Sequence, residues 1–70
     1  SFRAAEFLDC IQRGALDEVE EIMERRGFDG MVTTHQSLLA LVEADHIDGT
    51  KAVAVSLKPN ELAQALRGRS

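Results

Sequence analysis

The chain has 70 residues, one Cys, and eight Lys and Arg against twelve Asp and Glu, for a formal net charge of −4. At this length the chain is expected to be one small domain or a piece of a larger protein, and a core of this size supports only about 3–5 kcal/mol of net stability. The acidic balance argues against nucleic acid and anionic membrane surfaces as partners, because both attract clustered Lys and Arg. The lone Cys predicts a reducing, cytoplasmic compartment, and the absence of an apolar run of about 18 residues argues against membrane insertion.

The hydrophobic periodicity predicts an all-α fold, a compact bundle of about five short helices. The first two, residues 2–13 and 15–26, carry apolar residues at helical spacing. Gly14 is expected to end the first helix, because Gly adopts the left-handed conformation at no steric cost, and Ser1 could cap its start. The second helix has acidic residues early and basic residues in its last turn, which complements the helix dipole.

A turn is predicted at residues 28–31, whose two large apolar side chains, Phe and Met, should fold back onto the core. Thr33 followed by Gln36 is the capping-box pattern, and it predicts a third helix over residues 34–45. The apolar stripe of this helix is nearly continuous, which indicates that it is the central helix of the bundle.

The last two helices are predicted over residues 49–57 and 59–67. Asp48 is a good N-cap for the fourth helix, and Pro59 suits the first position of the fifth, where its missing N–H is not needed. Residues 52–55 alternate and include β-branched side chains, so a strand competes with the helix there. A lone strand would have no partner in this chain, which favours the helix.

The ligand-type side chains do not form a metal-binding pattern. His35 and His46 are eleven residues apart, which is about 16 Å along a helix, so one metal ion cannot bridge them. The string Asp-His-Ile-Asp-Gly at residues 45–49 has some likeness to a calcium loop, but its end positions would be Ala44 and Val55, which cannot bind. The histidines are therefore interpreted as solvent-facing residues at helix ends.

The sequence carries no pattern for catalysis, and no enzyme activity is predicted for these 70 residues. Cys10 falls in the apolar stripe of the first helix, which predicts a buried or half-buried, inert thiol. The Gly-Thr-Lys string at residues 49–51 lacks the upstream glycine and the preceding strand of a P-loop, which argues against a nucleotide site. A DNA-binding helix-turn-helix is disfavoured, because the third helix carries Glu43 and Asp45 and no Lys or Arg.

The predicted second helix carries a dense run of acidic residues. They are Asp17, Glu18, Glu20, Glu21 and Glu24. A charge run of this kind is usually a solvated helix face. The alternative is a docking surface for a basic partner helix, with Asp17, Glu20, Glu21 and Glu24 as the contact residues.

Several short motifs follow one another in a fixed order along the chain. The residues that carry them are Gly30, Met31, Thr33, Ser37, Leu38, Leu41, Ile47, Ala52, Pro59, Glu61 and Leu62. This order resembles the C-terminal helical region of the PilT/GspE secretion ATPases, the motors of type IV pili and of type II and some type IV secretion systems. In that family a Gly-Met-x-Thr string opens one helix and a Pro-x-x-Leu string opens the last one.

The resemblance implies that residues 1–70 are the C-terminal helical domain of a larger motor. The nucleotide-binding motifs of the family lie upstream of such a region, so no catalytic residue is carried over and no cofactor is expected in this chain. For the parent protein the resemblance implies ATP hydrolysis with magnesium, a hexamer, and a peripheral position at the cytoplasmic face of the inner membrane.

The partners implied are the parent's own ATPase domain, neighbouring subunits, and the secretion or pilus platform. The expected function is non-catalytic: the domain transmits ATP-driven motion and docks to the platform at the inner membrane. The alternative is a stand-alone protein–protein interaction module that uses the acidic helix at residues 15–26.

Overall fold

The computed structural model describes residues 3–68, and this part of the chain folds into five α-helices. They are α1 (Ala4–Arg13), α2 (Leu16–Arg25), α3 (Gly27–Glu43), α4 (Gly49–Val55) and α5 (Pro59–Arg67). The Cα radius of gyration is 11.0 Å, close to the roughly 11 Å expected of a packed chain of this length. The predicted compact all-α bundle is confirmed, and residues 52–55 are helical rather than extended.

The core lies where the apolar stripes of the helices converge. Its buried side chains are Phe7, Cys10, Ile11, Val19, Met23, Leu38, Ile47, Ala52 and Leu62. α3 contacts α2, α4 and α5, and α2 likewise contacts α1, α3 and α4, so α3 shares with α2 the central place that the sequence predicted for it. Thr34 of α3 is also buried, and its hydroxyl donates to the carbonyl of Met31 at 3.1 Å, so this polar group keeps a hydrogen bond inside the core.

The third helix begins well before its predicted start. α3 runs over Gly27–Glu43, whereas the capping-box pattern predicted 34–45. Gly27 makes the turn, because its φ of +66° changes the direction of the chain directly after α2. The residues that follow can therefore be helical. Thr33 therefore lies inside the helix, where its hydroxyl donates to the carbonyl of Asp29 at 3.0 Å. The predicted capping box at Thr33 is wrong for this reason.

The early start of α3 also changes the position of Phe28. Its side chain is 72% exposed, because it lies in the first turn of α3 on the side away from the core. The prediction that Phe28 folds back onto the core is wrong. Met31, the other apolar residue of the predicted turn, is half-buried.

The starts of α4 and α5 agree with the sequence signals. The Oδ1 atom of Asp48 accepts a hydrogen bond from the backbone N–H of Lys51 at 2.8 Å, which confirms Asp48 as the N-cap of α4. Pro59 is the first residue of α5, and the predicted bounds of that helix are confirmed. These signals act within one turn of the helix, so they are readable from the local sequence.

The remaining boundaries shift by a few residues. Arg3 is extended and precedes α1, while the predicted cap Ser1 and the predicted first helical residue lie outside the described residues. α2 is one residue shorter at each end than the predicted 15–26. α4 ends at Val55, two residues before its predicted end, and Ser56 is extended.

Within residues 3–68, three helices are followed by a residue in the left-handed conformation: Gly14 after α1, Gly27 after α2 and Asp45 after α3. After α1, Gly14 has φ +73° and its N–H bonds the carbonyl of Ile11 at 3.1 Å. After α3, Asp45 has φ +60° and its N–H bonds the carbonyl of Val42 at 3.0 Å. This conformation satisfies carbonyls that the helix end would leave free. The prediction that Gly14 ends the first helix is confirmed.

Leu38→Ala is expected to unfold most of the molecule. Leu38 is fully buried at the middle of α3, and a Leu-to-Ala change at such a site costs about 2–5 kcal/mol. That cost is as large as the roughly 3–5 kcal/mol available to a domain of this size. Far-UV circular dichroism measures the loss of helix. Leu57→Ala, the same change at a side chain that is 43% exposed, should keep the helical signal; an equal loss would contradict the assigned core.

Gly14→Ala is expected to destabilise the chain by about 1 kcal/mol through backbone strain alone. A Cβ at Gly14 would meet no atom within 4 Å, so only its φ of +73° opposes the change. Gly68→Ala is the matched control, because Gly68 has an ordinary φ of −74°. Urea unfolding of both variants measures the difference, and equal free energies of unfolding would contradict the strain.

Candidate functional site

The acidic surface that the sequence predicted lies on the solvent side of α2. Its members, here called the acidic face, are Asp17, Glu20, Glu21 and Glu24, and all four are exposed. The opposite side of the helix buries Val19 and Met23. Glu21 Oε1 lies 3.7 Å from Arg25 Nη2 in an exposed ion pair, which contributes little to stability. The other three carboxylates of the acidic face form no ion pair within residues 3–68.

Glu18 belongs to a different cluster, at the joint between α1 and α2. The Nε atom of Arg13 donates to Asp9 Oδ2 at 2.8 Å, and Nη1 of the same side chain donates to Glu18 Oε2 at 3.4 Å. These two hydrogen bonds, with Asp9 the stronger partner, raise the pKa of Arg13 above its already high ordinary value. The cluster is half-exposed, so it orients the helices more than it stabilises them.

Cys10 lies directly beneath this cluster and is buried. Its Sγ atom is 3.9 Å from Glu18 Oε1 and 3.6 Å from Arg13 Nη2. Burial and then the Glu18 carboxylate raise the pKa of the Cys10 thiol, while Arg13 acts in the opposite direction. The predicted burial is confirmed, and the surroundings favour the neutral thiol, which is a poor nucleophile.

Cys10 is expected to react with iodoacetamide far more slowly in the native chain than in urea, because burial keeps the thiol protonated and inaccessible. Mass spectrometry of the alkylated chain measures the rate, and equal rates in buffer and urea would contradict the burial.

The raised pKa of the Cys10 thiol also makes the free energy of unfolding depend on pH. The stability that comes from the neutral thiol is fully present below the unfolded pKa of about 8.5. It is lost as the pH rises above that value, because the unfolded chain forms the thiolate more easily than the native chain.

The stability arm of this experiment uses urea unfolding between about pH 8 and 10. The native chain should lose stability across this range, and Cys10→Ala should lose less. The alanine variant controls for the deprotonation of other groups at high pH. Identical slopes of unfolding free energy against pH would contradict the raised pKa of the thiol.

The two histidines occupy different environments. His46 is exposed just beyond α3, as predicted, and its carbonyl accepts a hydrogen bond from Gln12 Nε2 at 3.4 Å. His35 is half-buried in the middle of α3, and its buried Nδ1 atom has no hydrogen-bond partner within residues 3–68. The prediction that His35 faces solvent at a helix end is therefore wrong, because the helix begins eight residues before it.

Between residues 3 and 68, no three or more His, Cys, Asp and Glu side chains are grouped so that they could hold a metal ion. In the same part of the chain, none of the helices combines the length and the apolar character needed to cross a membrane.

Part of the predicted motif packs inside the molecule. Leu38 of α3 and Leu62 of α5 are fully buried in the core, and Leu41 packs against it. Pro59 is exposed and opens the helix that carries Leu62. These motif residues thus join the central helix to the last one.

The other part of the motif lies in the first half of α3. Gly30 is buried, whereas Met31 and Thr33 are half-buried. A Cβ added at Gly30 would lie 1.9 Å from the Cβ of Arg26, so the stem of the Arg26 side chain covers the bare backbone at this position. Gly30 is therefore required by the packing of Arg26, not by a turn as predicted.

A groove of about 440 Å³ opens beside this half of α3. The start of α1, the end of α2 and the first turns of α3 line it, and it is here called the arginine groove after Arg3, Arg25 and Arg26. Of its lining residues Gly30 is buried, and Ile22 and Thr33 are half-buried. The groove is not predictable from the sequence, because Arg3 is far from the other two arginines along the chain.

An apolar patch lies on the outer side of α3. Phe28 and Val32, one helical turn apart, are 72% and 37% exposed. Leu16 and Leu57 are also exposed. Single exposed apolar residues are ordinary on a protein surface, but two neighbours on one helix form a patch that a partner can cover.

Comparison with known proteins identifies no relative. No family model, no curated protein and no solved structure matches the chain.

Proposed function

We propose that the chain is the non-catalytic C-terminal helical domain of a secretion or type IV pilus motor ATPase. In this role it transmits ATP-driven motion and docks to the parent's ATPase domain, to neighbouring subunits of a hexamer, or to the inner-membrane platform. ATP and magnesium then belong to the parent protein, which acts at the cytoplasmic face of the membrane. The motif resemblance supports the family, and the exposed patch on α3 supports the docking.

The observation that carries the docking role is the exposure of Phe28 next to Val32. Burying a Phe side chain completely is worth about 1.5–3 kcal/mol. Because 72% of Phe28 is exposed, most of that free energy is still available to a partner. It is large compared with the roughly 3–5 kcal/mol that stabilises a domain of this size, so a docked partner would order the domain further.

The placement of the motif residues is consistent with this role. Leu38 and Leu62 hold the bundle together, while Gly30 and Met31 lie in the same helical segment as the exposed Phe28. One half of the motif would therefore maintain the fold, and the other half would shape the surface that docks.

The first test is the reading frame around residue 1. We expect an in-frame P-loop ATPase upstream, because the family's nucleotide-binding motifs precede such a domain. An upstream sequence without one would contradict the proposal that the chain belongs to a motor ATPase.

The second test places a photo-crosslinking benzoylphenylalanine at Phe28 in the full-length protein. Illumination should join residue 28 to the ATPase domain or to a neighbouring subunit, because a docked patch lies against a protein surface. Peptide mass spectrometry identifies the joined segments. Asn60, an exposed residue of α5, takes the same substitution as the control. Equal crosslinking at both positions, or none at residue 28, would contradict docking through the patch.

A second candidate function is a stand-alone interaction module that binds a basic partner helix through the acidic face. The observation that favours it is that Asp17, Glu20 and Glu24 are exposed and form no ion pair within residues 3–68. Opposite charges on the two partners would speed association and favour this pairing over others.

Reversing Glu20, Glu21 and Glu24 together to Lys tests this alternative. The variant should lose binding to a Lys-rich amphipathic peptide, and its helical circular dichroism should be unchanged because all three side chains are exposed. Binding of the native chain should also weaken with added salt. Fluorescence anisotropy of the labelled peptide measures both effects, and unchanged binding after the reversal would exclude the alternative.

A further inference from the structure

We infer that the joint between α2 and α3 is a hinge with two folded states, bent and straight. In the bent state, which the structure shows, α1 and α2 pack on α3–α5 of their own chain. These first two helices, residues 4–25, are here called the α1–α2 hairpin. In the straight state α2 and α3 form one continuous helix, and the hairpin packs on α3–α5 of a second copy. The product is a dimer with exchanged hairpins.

The first argument is that the joint is a single residue. Arg26 already has helical backbone angles, φ −93° and ψ −7°. The N–H of Gly30 bonds the carbonyl of Arg26 at 3.2 Å, four residues back, as it would in an unbroken helix. Gly27 lies between them with its φ of +66°. Rotation of the backbone at this one residue is therefore enough to join the two helices.

The second argument is that two glycines hold the joint bent. Gly27 adopts its left-handed φ at no steric cost. The bend also brings the Cβ of Arg26 to 1.9 Å from the position of a Cβ at residue 30, whereas residues four apart in a straight helix have Cβ atoms about 5–6 Å apart. A side chain at residue 30 thus collides in the bent state and fits in the straight one.

The same glycines make the straight state less favourable. Gly in a helix interior is disfavoured against Ala by roughly fivefold in the equilibrium constant. Gly27 and Gly30 both lie inside the continuous helix of the straight state, so each lowers its population. The residue types at these two positions therefore set the balance between the two states.

The third argument is that the α1–α2 hairpin is held together by its own contacts. Arg13 of α1 lies 2.8 Å from Asp9 and 3.4 Å from Glu18 of α2. The two helices also contact each other directly, and the buried side chains of both belong to one core. The hairpin keeps these contacts whichever copy it packs on, so it can move as a unit.

The fourth argument is the length of the straight helix. From Leu16 to Glu43 it extends about 42 Å at 1.5 Å per residue, whereas the longest dimension of the bundle is 32 Å. α2 then points away from α3 instead of folding back along it. The hairpin loses contact with α3–α5 of its own chain, and side chains such as Val19 and Met23 lose their cover.

A second copy in the straight state offers the surface that the hairpin has lost. That surface surrounds Leu38 and Leu62, which are buried in the bent state. Reciprocal exchange restores the core in both halves of the dimer, so the interface needs no new complementary surface. Two chains form one dimer, and its population therefore rises with concentration.

The test is the double variant Gly27→Ala with Gly30→Ala, measured by size-exclusion chromatography with light scattering. Together the substitutions shift the equilibrium toward the straight state by at least about 100-fold per chain. At a concentration where the native chain is a monomer of 7.7 kDa, the double variant should be a dimer of twice that mass. Its helical circular dichroism should not decrease. A monomeric double variant, or an unfolded one, would overturn the inference.

Gly14→Ala is the matched control. Gly14 also has a left-handed φ, of +73°, so the substitution adds similar strain. The next residue, Ala15, is not helical either, with φ −80° and ψ 68°, so this joint is longer than one residue and does not straighten. The control should stay monomeric. Equal dimerisation of the control would show a general effect of destabilisation and overturn the inference.

Isotope-filtered NMR distinguishes exchanged hairpins from two bundles that touch at their surfaces. Labelled and unlabelled copies of the double variant are mixed in urea and refolded together. Nuclear Overhauser effects between copies should join the buried side chains of the hairpin to those of α3–α5, since all of them share one core. Effects between copies that involve exposed residues alone would overturn the inference.

The native chain provides a test without a substitution. Refolding from urea at about 1 mM should give a fraction of dimer, and at about 10 µM only monomer, because exchange follows mass action. No dimer at the higher concentration would overturn the inference. None of these experiments involves an ATPase domain or the crosslink at residue 28, so the inference and the proposed function can fail separately.

Discussion

The joint between α2 and α3 is the constraint on which the rest of the structure depends. Gly27 adopts φ +66°, a conformation that costs a side-chain-bearing residue about 1–2 kcal/mol. The chain therefore changes direction in one residue, and α3 starts at once. This early start makes α3 the longest helix of residues 3–68, exposes Phe28 in its first turn and places His35 in its middle. A longer turn would have moved all of these residues.

Because α3 starts so early, it has two halves with different roles. The second half, around Leu38, packs against the other helices and supplies the core. The first half buries Gly30 and Thr34 and carries the apolar patch on one side and the arginine groove on another. Gly30 belongs to this half, and its missing side chain lets Arg26 cover the helix. A small domain thus obtains stability and candidate binding surfaces from one helix.

Local signals predicted much of the fold. Gly14, Asp48 and Pro59 mark helix ends as expected, because a left-handed residue, an N-cap carboxylate and a missing N–H act within one turn. The helix at residues 52–55 was also correct, although its β-branched residues left a strand open. At these residues the lack of a partner strand outweighs the preference of β-branched side chains for strands, so the segment is helical.

The sequence by itself determined the all-α class, the positions of most helices, the burial of Cys10 and the exposure of the acidic face, because each follows from periodicity or from neighbours one turn away. Only the tertiary structure decided that Thr33 lies inside a helix and that Arg3 and Arg26 line one groove beside Gly30. The physical reason is that Thr33 can cap a helix only if the helix starts there. The left-handed φ of Gly27 starts α3 earlier and places Thr33 inside it. The groove forms between segments distant in the chain, which only the packing of three helices brings together.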